Sequence, residues 1–235
     1  MGIVDRHRSL IARGTSLFLI NHTQFARELF YQQALRLFAA AVPFELRPPL
    51  DVRAAIELAL GDGGGGSGGT GTGAADAAVE LLRSKNKMLK EYFSIDFFQD
   101  PTTPSSPLLL RALPRLVDGH CPRLEYLPDF LVDLRNANWT AEAACFHTVA
   151  AALASFYAHP PPLPRRFTRA GAVTTDNTSE LEAHRASPES VHALVAHVLL
   201  PALKAGLVPP NKLATSSHAV QVASAEKLYT VFERC

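Results

Sequence analysis

The chain has 235 residues, of which 47% are hydrophobic and 19% are charged, and its formal net charge is +1. This length and composition allow one large domain or two small subdomains with a sizeable core, and a charge this near zero argues against broad binding to nucleic acids or anionic membranes. No stretch has the length and hydropathy of a membrane span, and three irregularly spaced cysteines favour a reducing compartment over a disulfide framework.

The N-terminal segment predicts a small mixed α/β layer. Short apolar runs, GIV and SLIA, precede SLFLI at 16–20, whose continuous apolar pattern predicts a strand. A helix is expected over 23–38, with Asn21 or Thr23 as its cap. The run FEL at 44–46 predicts another strand, and Pro48-Pro49 is expected to close this unit.

The next segment predicts two helices, over 51–60 and 74–93, on either side of a glycine-rich run. That run, GDGGGGSGGTGTG at 61–73, lacks the Gly-Lys-Ser/Thr of a phosphate-binding loop, since no lysine follows until Lys85. We therefore interpret it as a flexible insertion.

The remaining segments predict further helices separated by irregular chain. A short helix is expected over 127–137 and a longer, alanine-rich one over 141–157. The proline-rich stretch 159–186 has no apolar period and predicts a disordered surface loop. A helix with proline at its first position is expected over 187–205, followed mostly by loop up to AEKLYTVFERC.

Outside the C-terminal segment, the sequence contains no complete set of catalytic or metal-binding residues. His192 and His197 lie five residues apart on a predicted helix, so they diverge by about 140°, unlike the paired ligands of H-E-x-x-H. His120 and Cys121 are adjacent in GHCPR, without a second pair nearby, and we expect no metal there. Cys145 lies among alanines and is expected to be a small buried hydrophobic residue.

The C-terminal cysteine, Cys235, is the strongest candidate metal ligand. It ends a segment that carries Leu228, Tyr229, Val231 and Phe232, enough apolar surface to dock rather than fray. A thiolate is a good zinc ligand, but zinc needs three or four donors. If Cys235 binds a metal, the other donors must therefore come from another chain.

Several stretches together resemble the C-terminal domain of the eukaryotic MutL homologue 1 family of DNA mismatch-repair proteins. They occur in order along nearly the whole chain, interrupted by the two low-complexity segments, and the short FERC ending is the most specific. The stretches are SLFLINHTQFARELFYQQ, KMLKEYFSID, LPRLVDGHCPRLEYLPDFLVDLRNANW, CFHTVAAALASFYA, LVPPNKL and EKLYTVFERC.

The resemblance also accounts for the missing nuclease motif. Endonuclease-bearing MutL proteins carry D-Q-H-A-x2-E-x4-E where a strand meets a helix. In this chain the three acidic positions fall on Asn21, Arg27 and Gln32, so amides and a cation replace the carboxylates that a divalent metal requires. The companion motif C-P-H-G-R-P is absent too. The resemblance therefore implies a subunit without a nuclease site of its own.

The fold that the resemblance implies is α/β (α+β) in two subdomains. The outer, mixed α/β dimerisation subdomain would combine 1–48 with about 187–235. An inserted, mainly helical subdomain would occupy 49–158.

The resemblance further implies a nuclear, non-catalytic scaffold that forms an obligate heterodimer with an endonuclease-bearing MutL paralogue. Cys235 would complete the partner's zinc site in trans, and ATP hydrolysis would belong to an N-terminal domain outside these residues. Other expected partners are a repair exonuclease carrying a short peptide motif, MutS-type proteins, and DNA through the whole complex. The alternatives are a generic adaptor unrelated to repair and, with less support, a nuclease in its own right.

Overall fold

The computed structural model describes residues 2–61, 70–103, 106–160, 192–214 and 216–225. Contacts divide the chain into one unit formed by Met1–Ala26 with Pro160–Cys235 and a second unit formed by Arg27–His159. No helix within the described ranges is long and apolar enough to cross a bilayer. The functional division expected from the sequence, a dimerisation subdomain (1–48 with 187–235) and an inserted subdomain (49–158), stays a prediction.

The described elements are strands and helices, and the helices contain most of the residues in regular secondary structure. The strands are β1 (Gly2–Ile3), β2 (Arg8–Arg13), β3 (Ser16–Asn21), β4 (Pro43–Asp51), β5 (Asp96–Phe98), β6 (Leu109–Pro114) and β7 (Ala219–Ser224). The helices are α1 (His22–Arg36), α2 (Val52–Gly61), α3 (Thr70–Phe93), α4 (Leu127–Arg135), α5 (Glu142–Ala158), α6 (Leu200–Gly206) and α7 (Asn211–Ala214), with a 3-10 turn at Leu124–Tyr126 and a π-helical segment at Leu194–Leu199.

The predicted α/β class is confirmed, with two antiparallel sheets whose strand orders are β1-β2-β3-β7 and β4-β6-β5. The run SLFLI forms β3 as predicted, and α1 follows it directly. Asn21 caps this helix, because its Oδ1 accepts a hydrogen bond from the Gln24 N–H at 3.1 Å.

Strand β7 corrects the expectation that the chain before AEKLYTVFERC is mostly loop. It pairs antiparallel with β3 and places Val220 opposite Leu19. The sequence of β7, AVQVAS, alternates valine with smaller or polar residues, which suits a strand with one solvated face. A partner strand some two hundred positions earlier in the chain supplies the rest of the stabilisation, and no local signal identifies it.

Strand β4 corrects the expectation that Pro48-Pro49 closes the first unit. The strand runs through both prolines to Asp51. Its pairing with β6 shifts register between Glu45 and Leu50, which accommodates prolines because they have no N–H to donate to the ladder. By contacts β4 belongs to the second unit.

The second unit has a continuous apolar core between its sheet and its helices. The alanine-rich α5 was predicted and is confirmed; its small residues Ala150, Ala152 and Ala154 are buried and allow close packing. The large side chains that are almost fully buried in this core include Phe30, Leu110, Leu113, Phe130, Leu131, Phe156 and Tyr157.

The low-complexity segments fall largely outside the described residues. Of the predicted insertion 61–73, residues 62–69 are outside, whereas α3 already begins at Thr70, four positions before the expected start. Extending an existing helix costs much less than nucleating one, so α3 continues into the glycine run. Of the predicted loop 159–186, only His159 and Pro160 are described, and the His159 ring stacks on Tyr126 with centroids 3.8 Å apart.

The helix expected over 187–205 is helical from His192 to Gly206, and residues 187–191 lie outside the described part. The segment Leu194–Leu199 is π-helical, and the Leu200 N–H bonds to the Val195 carbonyl. Because the π-helical hydrogen bond joins residues five positions apart, two such residues lie nearer to the same face of the segment than they would in an α-helix. The expected divergence of His192 and His197 assumed that period and is wrong in this respect; both histidines are exposed.

Candidate functional site

One face of the β1-β2-β3-β7 sheet is a candidate interface. The register places Leu10, Leu19 and Val220 in one row across three strands, and Ala12, Leu17 and Ala223 in the next row. We call these six residues the Leu19 face. None of them is buried: Val220 is 44% exposed, and the three leucines are half-buried.

The opposite face of the same sheet contains the buried residues of its described strands. Ser9 and Ser224 are the buried sheet residues in the described part of this unit, and both lie on that face. The Ser9 hydroxyl lies 2.8 Å from His22 Nδ1, and His22 Nε2 lies 3.1 Å from the Arg6 carbonyl oxygen. Since a carbonyl can only accept, Nε2 carries the proton and Ser9 donates to Nδ1.

The Ser9–His22 pair is structural. Its third group is a backbone carbonyl rather than a carboxylate, so it lacks the arrangement that activates a serine nucleophile. Burial lowers the pKa of His22 below its ordinary value, and the hydrogen bond to Arg6 opposes that shift. The pair joins the start of α1 to β2 and leaves the Leu19 face as the less covered side of the sheet.

The positions that correspond to the nuclease motif hold no carboxylate. Asn21 is used as the helix cap. Arg27 is exposed, and Gln32 donates a hydrogen bond to the Glu28 carboxylate at 2.8 Å. No group of three or more His, Cys, Asp or Glu residues that could hold a metal ion occurs among the described residues.

The second unit contains a pocket of about 530 Å³ between α3 and the start of α5. Its lining combines aromatic and apolar surface with charges of both signs: Lys85, Lys87, Met88, Glu91, Tyr92, Trp139, Glu142, Cys145 and Phe146. The Lys85 ammonium lies 5.6 Å from the centroid of the Trp139 ring, a cation–π contact. The indole N–H of Trp139 is buried and has no hydrogen-bond partner in the described part of the chain.

The pocket rests on an aromatic cluster. Phe38 stacks on Tyr92 with centroids 4.9 Å apart and contacts Phe146 edge-on at 4.7 Å, so the floor is rigid and apolar. Cys145 was predicted to be a small buried residue; it is a buried free thiol whose pKa is raised by burial. A firm apolar floor under a rim of charges suits a short peptide better than a metal or a phosphate.

The adjacent residues His120 and Cys121 of GHCPR lie in different environments. Cys121 is an exposed free thiol, whereas His120 is 5% exposed and lies against Phe30 and Tyr157, with centroid distances of 4.7 and 6.0 Å. Burial lowers the pKa of His120 to about 4, and no described residue forms a hydrogen bond with its Nδ1. His120 is therefore a neutral core ring.

Cys235 and the rest of AEKLYTVFERC after Ala225 lie outside the described residues, so its assignment as a ligand stays a prediction. The sequence interpretation missed both the Leu19 face and the pocket. The alternation of AVQVAS was a usable signal for β7. The pocket forms because Trp139 lies against α3, and no local sequence pattern indicates that contact.

Comparison with known proteins identifies relatives along the whole chain. The family model described as "DNA mismatch repair protein Mlh1 C-terminus" matches residues 1–235, which confirms the resemblance. The chain is 29% identical to the DNA mismatch repair protein Mlh1 of Dictyostelium discoideum, over 100% of this chain and 26% of that protein. It is 28% identical to the DNA mismatch repair protein MLH1 of Saccharomyces cerevisiae, over 100% of this chain and 30% of that protein.

A third relative, the putative MutL protein homolog 1 of Schizosaccharomyces pombe, is 27% identical over 98% of this chain and 30% of its own length. The chain thus spans 26% to 30% of the length of these relatives.

Proposed function

The chain belongs to the family of Mlh1 C-terminal domains, and on this premise we propose that it is a non-catalytic heterodimerisation scaffold of a MutL-type DNA mismatch-repair complex. Its partner would be an endonuclease-bearing MutL paralogue. The complex would act in the nucleus and contact DNA as a whole, together with MutS-type proteins. ATP hydrolysis would belong to a separate N-terminal domain.

The Leu19 face is the observation that carries this proposal. A four-stranded sheet with three leucines on one face and no buried residue there has surface that an obligate partner would cover, since such interfaces are large and core-like. The opposite face already holds the buried Ser9–His22 bond. A generic adaptor unrelated to repair has less support, because the family match extends over the entire chain.

The non-catalytic part of the proposal rests on Asn21, Arg27 and Gln32. Amide side chains and a guanidinium cannot replace the anionic oxygen donors of a divalent metal site. Nicking of DNA would therefore be the partner's activity, and this chain would contribute to the partner's metal centre only through Cys235.

The test of the proposed function is co-expression with the C-terminal domain of an endonuclease-type MutL paralogue, with and without Cys235→Ser. We expect a stable one-to-one complex in both cases, with bound zinc and nicking activity lost in the variant because one thiolate donor is missing. Cys121→Ser, which removes an exposed cysteine elsewhere, is the matched control and should retain both. No complex would refute the scaffold, whereas an unchanged zinc content would refute only the ligand role.

We further propose that the pocket beside Trp139 docks a short peptide from a repair exonuclease. An apolar side chain would rest on the aromatic floor, and the charged rim would orient the peptide backbone and its polar groups. Trp139 would offer its indole N–H, which lacks a partner among the described residues, to a peptide carbonyl.

Ser84→Trp tests the pocket. Ser84 is exposed on α3 and lines the pocket, so a large ring there is expected to obstruct it and weaken a labelled exonuclease peptide about tenfold or more, equivalent to about 1.4 kcal/mol. Fluorescence polarisation measures the affinity. Arg83→Trp, on an exposed neighbouring position that does not line the pocket, is the control; equal effects of the two changes would contradict the assignment.

A further inference from the structure

The described strands β1, β2, β3 and β7 carry two charged residues, Arg8 and Arg13. The register places Arg8 opposite Asn21, in the row next to that of Leu10 and Leu19. Because side chains alternate along a strand, Arg8 lies on the same side of the sheet as the Leu19 face, and Arg13 lies on the opposite side. The Leu19 face is therefore bordered at one end by a single charged side chain of the sheet.

The position of Arg8 is fixed by Asp5, in the turn between β1 and β2. The Arg8 Nε donates a hydrogen bond to Asp5 Oδ2 at 2.7 Å. The other carboxylate oxygen, Oδ1, accepts hydrogen bonds from the backbone N–H groups of His7 and Arg8, each at 2.8 Å. Since two of these three bonds come from the backbone of the turn, the carboxylate is a fixed anchor that orients the guanidinium.

The two terminal nitrogens of Arg8 are available to a partner. Only Nε is used by Asp5, and no described residue forms a hydrogen bond or ion pair with Nη1 or Nη2. The side chain is 54% exposed. The terminal nitrogens lie in the plane of the guanidinium and present parallel N–H groups that match the two oxygens of a carboxylate. Arg8 is thus arranged to bind a carboxylate with two hydrogen bonds.

A charge at one end gives the Leu19 face a direction that its apolar residues do not supply. Burial of leucine, alanine and valine side chains is favourable but non-directional, so a partner could cover the rows in either of two opposite directions. In the wrong direction Arg8 would meet surface that lacks a carboxylate. A charge that loses water without gaining a partner opposes that arrangement.

We propose that the MutL paralogue covering the Leu19 face places a carboxylate against the terminal nitrogens of Arg8, and that this ion pair fixes the direction in which the partner lies. The inference rests on the heterodimer proposed above and adds the residue that determines its orientation. The leucine row beside Arg8 favours a protein carboxylate over a DNA phosphate, because a protein partner gains from the apolar contact as well.

Binding kinetics test the role of Arg8, with the C-terminal domain of an endonuclease-type paralogue as the probe at low and high salt. Arg8→Gln is expected to weaken the complex about fivefold or more at low salt, mainly through slower association, and to reduce its salt dependence. Arg8→Lys keeps the charge without the planar fork and should lie between the two. Arg13→Gln, on the opposite side of the sheet, is the matched control; equal effects of Arg8→Gln and Arg13→Gln would overturn the proposal.

Charge reversal tests the expected counterpart. Arg8→Glu should weaken the complex further than Arg8→Gln, because two carboxylates would then face each other. Among paralogue variants in which each surface Asp or Glu is replaced singly by Lys, one should restore binding to Arg8→Glu. If the unchanged chains form a complex and no such variant restores it, the ion pair is wrong and the scaffold proposal stands. If the unchanged chains form no complex, the scaffold proposal itself is refuted.

Discussion

Replacing Leu19 by glutamate is expected to abolish pairing with the proposed MutL paralogue while the chain remains folded. Leu19 occupies the centre of its row, between Leu10 and Val220, so a carboxylate there would be buried at the middle of the proposed interface. A buried charge without a partner costs several kcal/mol, and we expect the affinity to fall about a hundredfold or more, or about 3 kcal/mol.

The fold should tolerate this change because Leu19 is only half-buried in the chain itself. Circular dichroism of the purified variant checks the fold, and a pull-down followed by titration calorimetry checks the pairing. Val208→Glu, at an exposed valine outside the sheet, separates an interface effect from a general effect of added charge. A Leu19→Glu chain that pairs normally would show that the Leu19 face is not the interface.

Local pattern determines much of the fold. SLFLI is apolar at four consecutive positions with a capping residue next to it, and it becomes β3 followed by the α1 cap at Asn21. The alanine-rich run from 141 gives α5 because its period and its small side chains suit close helix packing. In these segments the local preference and the tertiary environment agree.

The wrong predictions concern segments whose secondary structure depends on residues that are distant in the sequence. Pro48-Pro49 normally ends a strand, yet β4 continues because β6 resumes pairing at Leu50 beyond the register shift. The strand β7 depends on β3, far away in the sequence, and its few apolar residues give a weak local signal. The π segment at Leu194–Leu199 likewise has no sequence marker.

The candidate sites, too, can be predicted only in part from local sequence. The absence of carboxylates at the positions of the endonuclease motif, which hold Asn21, Arg27 and Gln32, can be read from the sequence once it is laid over that motif. The Leu19 face, however, requires the register of three strands, and the pocket requires Lys85 on α3 to lie over Trp139. Shape formed between distant segments is not encoded in any single stretch, so these surfaces emerge only from the structure.

The second unit is expected to lose stability as the pH falls from 6.5 to 4, and His120→Phe is expected to prevent most of that loss. Burial lowers the pKa of His120 from 6.5 to about 4 in the folded chain. Below pH 6.5 the unfolded chain binds a proton that the folded chain does not, so stability is full above that pH and falls until about pH 4. The total loss is about 3 kcal/mol.

The phenylalanine ring keeps the contacts with Phe30 and Tyr157 and removes Nδ1, which is buried without a hydrogen-bond partner among the residues that the structure describes. The variant should therefore be as stable as the parent at pH 7 or more stable by about 1 kcal/mol. Urea titrations across the pH range measure this through Trp139, the one tryptophan of the chain, which lies in the same unit. His197→Phe, at an exposed histidine of the other unit, controls for the loss of an imidazole. A pH dependence that His120→Phe leaves unchanged would mean that the buried ring is not the group responsible.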